Sequence, residues 1–288
     1  MSNTNTIKAS FAVIGHPVDH SRSPAIHSAF AQQTGITLQY DRLDAAPASF
    51  ETTVADFFAN GGQGLNVTVP FKERDWQLAQ ANLSTRALLA GAVNTLWSSA
   101  SELHGCNTDG VGLVRDLQRL ALLGTAPCVL LLGAGGAAKG VIGPLLDAAC
   151  EHLHVANRTA ARAQDLRQAW LAQRPDDQVR LSASGFTDLP NMSWDLVINA
   201  TASSLQGEAP ELPEGVYREH TRAYDMMYGS TPTAFLQQAQ AHGVTQSADG
   251  LGMLVEQAAE SFWIWHGVLP TTTPVVEAIR RQMQEAVR

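Results

Sequence analysis

Short continuous apolar runs alternate along this chain with longer stretches whose apolar residues recur every three or four positions, the pattern of an α/β protein. Phe11-Ala12-Val13-Ile14 reads as a buried strand closed by the turn Gly15-His16-Pro17. Ala25, Ile26, Ala29 and Phe30 then follow at helical spacing behind Ser23-Pro24, an N-cap and first helical residue. Thr37 to Leu43 predicts a second strand, and Phe50 to Ala59 a helix stopped by Gly61-Gly62. In Asn66-Val67-Thr68-Val69 polar and apolar residues alternate, so an extended backbone turns Asn66 and Thr68 to one face and packs both valines behind them. Pro70 ends that strand and leaves Lys72 just past its carboxyl end, where open α/β sheets place ligands. Gly91 to Leu96 predicts another strand. Asn107-Thr108-Asp109-Gly110 opens an amphipathic helix through Val111, Leu113, Val114, Leu117 and Leu120, with Thr108 or Asp109 as its cap.

A new unit starts after Gly124-Thr125-Ala126-Pro127. Cys128 to Leu132 is a continuous apolar strand, Gly136 to Cys150 a helix and His152 to Ala156 the next strand. The turn between strand and helix, Gly133-Ala134-Gly135-Gly136-Ala137-Ala138, matches the dinucleotide-binding fingerprint. Gly133 serves the bend, Gly135 the approach of a pyrophosphate, and Ala138 the helix packing. A chain that selects NAD places a carboxylate at the end of the second strand. Here Asn157-Arg158-Thr159 stands there, with Arg162 one turn on, a set of donors suited to a 2′-phosphate and therefore to NADP. Asp195 to Thr201 predicts a later strand, Ala223 to Tyr228 the last strand of this unit, and Thr231 to His242 a helix. Met253, Leu254, Ala258, Phe262 and Trp265 form an apolar helical stripe that contains the amide of Gln257.

Composition narrows the partners. A length of 288 residues suits two domains, and a net charge of −8 disfavours nucleic acid or an anionic membrane as partner. The polar start Met1 to Thr6 leads only into a short apolar run, which argues against a signal peptide and for a cytoplasmic protein. Cys106, Cys128 and Cys150 are far apart without a C-x-x-C pair and read as reduced structural thiols. His152 and His154 share a strand face without a third ligand, so no metal site is expected.

Taken in order, His20-Ser21-Arg22-Ser23-Pro24, Asn66 to Lys72, Gly91-Ala92-Val93-Asn94-Thr95, Asn107 to Gly110, Gly133 to Ala137, Asn157-Arg158-Thr159, Asn199-Ala200-Thr201 and Ala248-Asp249-Gly250-Leu251-Gly252-Met253 resemble the shikimate dehydrogenase family over nearly the whole chain. The resemblance implies two α/β domains. A substrate-binding domain would comprise residues 1–108 plus 250–288, and a Rossmann-like NADP-binding domain 109–249. It implies the reversible NADPH-dependent reduction of 3-dehydroshikimate to shikimate, with Lys72 and Asp109 as the catalytic pair. Ser21 and Ser23, helped by Thr68 and Tyr224, would hold the substrate carboxylate, and Asn66, Asn94, Asp109 and Gln257 its hydroxyls. Gly133, Ala134, Gly135, Gly136 and Ala137 would lie under the pyrophosphate, Asn157, Arg158, Thr159 and Arg162 at the 2′-phosphate, and Met226 and Gly250 near the nicotinamide. A small-molecule substrate is the expected partner, and a homodimer is compatible with the sequence. The competing readings are a quinate/shikimate dehydrogenase using NAD or NADP and a non-catalytic NADP-binding regulator. Ser23, where the family has Ser or Thr, leans toward shikimate.

Overall fold

The structure, a computed structural model, describes residues 9–286, so the polar start Met1 to Thr6 lies outside the described residues. The chain divides into two compact units, Met1–Thr108 with Ala258–Val275, and Asp109–Gln257 with Val276–Arg288. The sequence reading also places a boundary after residue 108. By compactness, however, residues 250–257 and 276–288 group with the second unit, whereas that reading gives 250–288 entire to the first.

The first unit is built on a mixed sheet of order β2-β1-β3-β4-β5, with β1 (Ala9–Gly15), β2 (Leu38–Asp44), β3 (Gly62–Val67), β4 (Thr95–Ser99) and β5 (Glu102–Cys106). β1 pairs in parallel with β2 and β3, while β4 and β5 extend the sheet antiparallel. Helices α1 (Ser23–Thr34), α2 (Phe50–Ala59), α3 (Lys72–Leu78) and α4 (Thr85–Ala90) connect the strands. Ile14, Phe50, Leu65, Phe71 and Leu96 close a core in which the Phe50 and Phe71 rings stack at 4.2 Å. Two expectations change here. β3 ends at Val67, so Thr68 and Val69 lie past the strand, although Thr68 N–H donates to Ile14 O and Val69 O accepts from His16 N–H, and Val69 is 69% exposed instead of packed. The turn is tied down by Phe71 N–H to Thr68 O and by Thr68 N–H to Ile14 O. In consequence Lys72 begins a helix, α3, with Phe71 at its N-cap.

The second unit starts with α5 (Asp109–Arg119), followed by β6 (Cys128–Leu132), α6 (Gly136–Asp147), β7 (His152–Asn157), α7 (Ala160–Gln173), β8 (Leu181–Gly185), β9 (Leu196–Asn199), β10 (Arg222–Asp225), α8 (Ala234–Ala241) and β11 (Ser247–Asp249). All six strands are parallel, in the order β8-β7-β6-β9-β10-β11. This is the 3-2-1-4-5-6 arrangement of a dinucleotide-binding sheet, with its topological switch between β6 and β9. β11 extends the sheet one strand beyond β10, which the sequence reading takes as the last; with three residues it is too short to show a period. The residues lining both faces of the inner strands, Leu130, Leu131, Leu132, Val197 and Ile198, are fully buried, as a sheet covered by helices on both sides requires. α9 (Leu251–His266) gives its first seven residues to this unit and the rest to the other, and α10 (Thr273–Glu285) follows.

Candidate active site

In the second unit the switch point falls at the end of β6. Gly133 turns the chain there with φ at +111°, its N–H donating to Ala156 O, and a side chain would meet Ala200 O at 3.1 Å. A side chain at Gly135 or Gly136 would meet nothing within 4 Å. These two glycines and Ala137 are exposed and Ala134 is half-buried, while Ala138 packs inward with no exposure. The start of α6 is thus an open cradle of backbone N–H groups at a helix N-terminus, which suits a pyrophosphate. One strand over, β7 ends at Asn157, whose Nδ2 donates to Thr159 O at 2.9 Å, and Arg158, Thr159 and Arg162 are exposed. The guanidinium groups are therefore accessible to an anionic group beyond β7.

The loops past β9 and β10 are organised by Asp225, which the sequence reading does not single out. Its buried carboxylate accepts from Asn199 Nδ2 at 3.1 Å, Met227 N–H at 3.0 Å, Ser204 Oγ at 2.7 Å and Thr233 Oγ1 at 2.6 Å. Burial pushes its pKa up, and these four donors oppose the shift. Met226, half-buried, leaves β10 here, and Gly250 is required beside it because a side chain would lie 2.2 Å from Met226 O. Gly252 has a similar reason, since a side chain would lie 2.0 Å from Asp116 Oδ1. Tyr224 requires a correction. The sequence reading places it on the substrate carboxylate, but its ring is fully buried and its hydroxyl donates to Asp116 Oδ2 at 2.8 Å. Tyr224 sits within β10, paired with Ile198 on one side and Ala248 on the other, and the half-buried tyrosine beyond the strand's carboxyl end is Tyr228. Gln257 is half-buried on α9 and donates to Leu254 O at 2.9 Å, and Asp109 is the half-buried first residue of α5.

In the first unit, Ser21 lies before α1, and its Oγ accepts from Ser23 N–H at 3.3 Å and donates to Ser23 Oγ at 3.2 Å. Ser23 is the first helical residue rather than the N-cap, and no side-chain capping bond is made from the cap position. The capping role that the sequence reading gives Ser23 is taken by Ser21 instead. Arg42, unforeseen in sequence, donates to Ser21 O at 2.7 and 3.2 Å and so fixes this hydroxyl pair. Asn66 and Asn94 join through a buried network. Asn66 Nδ2 donates to Asn94 O at 3.1 Å and to Ser261 Oγ at 3.0 Å, and Asn94 Oδ1 accepts from Thr108 N–H at 3.0 Å and Thr95 Oγ1 at 2.9 Å. Asn107 Nδ2 donates to Ala92 O at 3.1 Å. Lys72, half-buried, accepts Val93 N–H on its carbonyl at 2.9 Å, and Thr68 is half-buried in the turn before it. Ser21 with Ser23, and Asn66 with Asn94, thus form two hydrogen-bonded polar groups in this unit, of a chemistry suited to a carboxylate and hydroxyls.

Such a sheet, carrying a glycine turn at its switch point and joined to a second α/β unit with a polar cluster, defines a nucleotide-binding α/β dehydrogenase of two domains. Family models for the shikimate dehydrogenase substrate binding domain match residues 13–96, for shikimate/quinate 5-dehydrogenase 122–208, and for the shikimate 5′-dehydrogenase C-terminal domain 250–287. A relative from Bordetella petrii named shikimate dehydrogenase (NADP(+)) is 56% identical over 94% of this chain and 94% of its own. The solved structure of an Ael1 enzyme from Pseudomonas putida has a TM-score of 0.88 at 41% identity, covering 94% of this chain and 98% of that one. A shikimate 5-dehydrogenase from Thermus thermophilus, solved with NADP(H) and shikimate, gives 0.83 at 32% identity, covering 95% and 99%. The chain belongs to the shikimate dehydrogenase family.

Proposed function

We propose that this protein catalyses the reversible NADPH-dependent reduction of 3-dehydroshikimate to shikimate in the cytoplasm. Family membership supports the substrate. The observation that carries the cofactor is the open glycine cradle after β6, with Asn157-Arg158-Thr159 in place of a carboxylate at the end of β7. Residues 109–249 bind NADP, and the first unit binds the substrate. Bound NADPH supplies the hydride to the ketone carbon.

The chain's own residues do the rest. Gly133 to Ala137 hold the pyrophosphate on backbone N–H groups, and Asn157, Arg158, Thr159 and Arg162 hold the 2′-phosphate by charge-assisted hydrogen bonds. Met226 and Gly250 shape the nicotinamide end. Ser21 and Ser23 donate to the substrate carboxylate with Thr68, and Tyr228 takes the place expected for Tyr224. Asn66, Asn94, Asp109 and Gln257 orient the ring hydroxyls. Lys72 donates to the oxygen that gains negative charge as hydride arrives and delivers its proton, and Asp109 completes the acid–base set.

The test is nicotinamide absorbance on mixing the protein with shikimate or quinate and with NADP⁺ or NAD⁺ in all four pairings. Rapid reduction with shikimate and NADP⁺ alone is expected. Comparable rates with quinate or NAD⁺ would move the protein to the broader quinate/shikimate class, and silence in all four pairings, with tight NADP binding, would leave a non-catalytic regulator.

A further inference from the structure

Tyr40 lies on β2, at the edge of the five-stranded sheet, and has no assigned role in the chemistry above. Its ring stacks on the His27 imidazole with centroids 4.3 Å apart and planes 10° apart. His27 is fully buried, and burial pushes its pKa down to about 3, so this shelf stays uncharged at any working pH. The phenol is therefore held in place by an inert, packed support. Its oxygen lies 2.7 Å from Asn66 Oδ1.

The direction of that bond follows from the other end of the amide. Asn94 O, a backbone carbonyl, can only accept, so the amide atom 3.1 Å from it is Nδ2. Oδ1 must then face Tyr40, which makes the phenol the donor. Burial, which raises the Tyr40 pKa far above that of a free phenol, keeps the proton there. The remaining neighbours of Nδ2, Thr95 Oγ1 at 3.3 Å and Ser261 Oγ at 3.0 Å, are hydroxyls that can donate or accept, so they do not choose an orientation. Asn94 O and the Tyr40 hydroxyl do. Asn66 is 6% exposed, which leaves a ligand a narrow approach to its amide.

We propose that Tyr40 is a positioning residue that fixes Asn66 as a hydrogen-bond acceptor, so that the site selects a substrate carrying a hydroxyl at the position facing Asn66. Without the phenol, one of these orienting contacts is gone. The amide then also populates the reversed orientation, in which Nδ2 donates to a hydroxyl or a keto oxygen alike. This inference rests on the shikimate reading above and deepens it. The same polarity argument excludes a keto analogue at that position, because it supplies no proton to Oδ1.

The experiment uses full-length protein, the Tyr40→Phe variant, and two shikimate analogues that each carry a keto group in place of one non-reacting ring hydroxyl. Wild-type protein is expected to discriminate against one analogue by about tenfold in kcat/KM. Tyr40→Phe should lose that discrimination, with kcat for shikimate within about twofold and KM for NADP⁺ unchanged. A role in packing alone would leave the discrimination intact. In an Asn66→Ala background, Tyr40→Phe should add nothing, since it acts through Asn66. The proposal is overturned if wild type discriminates against neither analogue, if Tyr40→Phe discriminates as wild type does, or if its effect persists in the Asn66→Ala background. Wild-type protein inert toward shikimate would overturn the functional reading itself, whereas an active wild type with an unaltered Tyr40→Phe variant overturns only this inference.

Discussion

Replacing Gly252 with alanine should destabilise the second unit, and the same replacement should stabilise it once Asp116 is removed. Gly252 lies in the first turn of α9, where a side chain would sit 2.0 Å from Asp116 Oδ1 and 2.3 Å from Oδ2. Asp116 has no exposure, and its carboxylate accepts from Tyr224 Oη at 2.8 Å and from Arg119 Nε and an Nη at 3.0 and 2.6 Å. Moving it breaks a buried, hydrogen-bonded pair, at a cost of about 3–5 kcal/mol. Alanine is favoured over glycine inside a helix by about 1 kcal/mol. Gly252→Ala alone should therefore lose roughly 2–4 kcal/mol. With Asp116→Ala in place the obstacle is gone, and Gly252→Ala should gain up to about 1 kcal/mol. The coupling, about 3 kcal/mol or more, lies well above the additivity error of independent sites. The assay is urea unfolding of wild type, both single variants and the double variant. Equal destabilisation by Gly252→Ala in both backgrounds would refute the steric argument and leave the glycine in this motif without a packing reason.

Further outcomes follow from other groups. Lys72→Ala should lower turnover by roughly 10²–10⁴ while the protein still binds NADP, and unchanged turnover would remove Lys72 from the mechanism. Arg158→Ala should lower kcat/KM for NADP⁺ by roughly 10- to 100-fold and leave NAD⁺ nearly unaffected, as the loss of one charge-assisted bond to phosphate requires. Equal losses with both cofactors would place Arg158 elsewhere. Asp75 is fully buried, neither carboxyl oxygen has a hydrogen-bond partner among the described residues, and burial raises its pKa well above the ordinary value. Its folded-state pKa exceeds the unfolded one, so stability present below about pH 4 is lost as pH rises toward the folded pKa. Asp75→Leu should then stabilise at pH 8 by about 1–3 kcal/mol, and a loss of stability measured by denaturation would show that the carboxyl is satisfied. His154 behaves with opposite sign. Burial first, then neighbouring His152, lowers its pKa to about 4, so its contribution is present above about pH 6.5 and lost as pH falls toward 4. His154→Gln should flatten the acid limb of a melting-temperature profile, and an unchanged slope would count against it.

The two-unit α/β architecture was legible because its signals are local. Cys128 to Leu132, Gly133 to Ala138 and the following helix are contiguous, and a glycine turn between an apolar strand and a helix has few other readings. Most strands and helices were placed within a few residues for the same reason. The Asn66 to Lys72 stretch was legible as a cluster of functional groups. Its alternation, however, suggests a strand two residues too long, because where the ladder with β1 gives way to the turn closed by Phe71 N–H on Thr68 O is set by partners the alternation does not show.

Other features had no local signal. Tyr224 and Tyr228 are both tyrosines near the end of one strand, and only sheet pairing shows that the first is interior while the second stands past the end. β11 is three residues long and is held by pairing with β10 alone. The roles of Arg42, Asp225 and Ser261 as organisers of the polar sites likewise depend on partners tens to hundreds of residues away. The sequence by itself determined the family, the glycine turn, the donors that follow β7 and the set of polar residues, since these are written in the identity and spacing of neighbours. Tertiary structure alone decided which of those polar groups are exposed and which hold one another. Hydrogen-bond direction and burial are properties of atoms brought together by the fold, and the order of residues along the chain does not encode them locally.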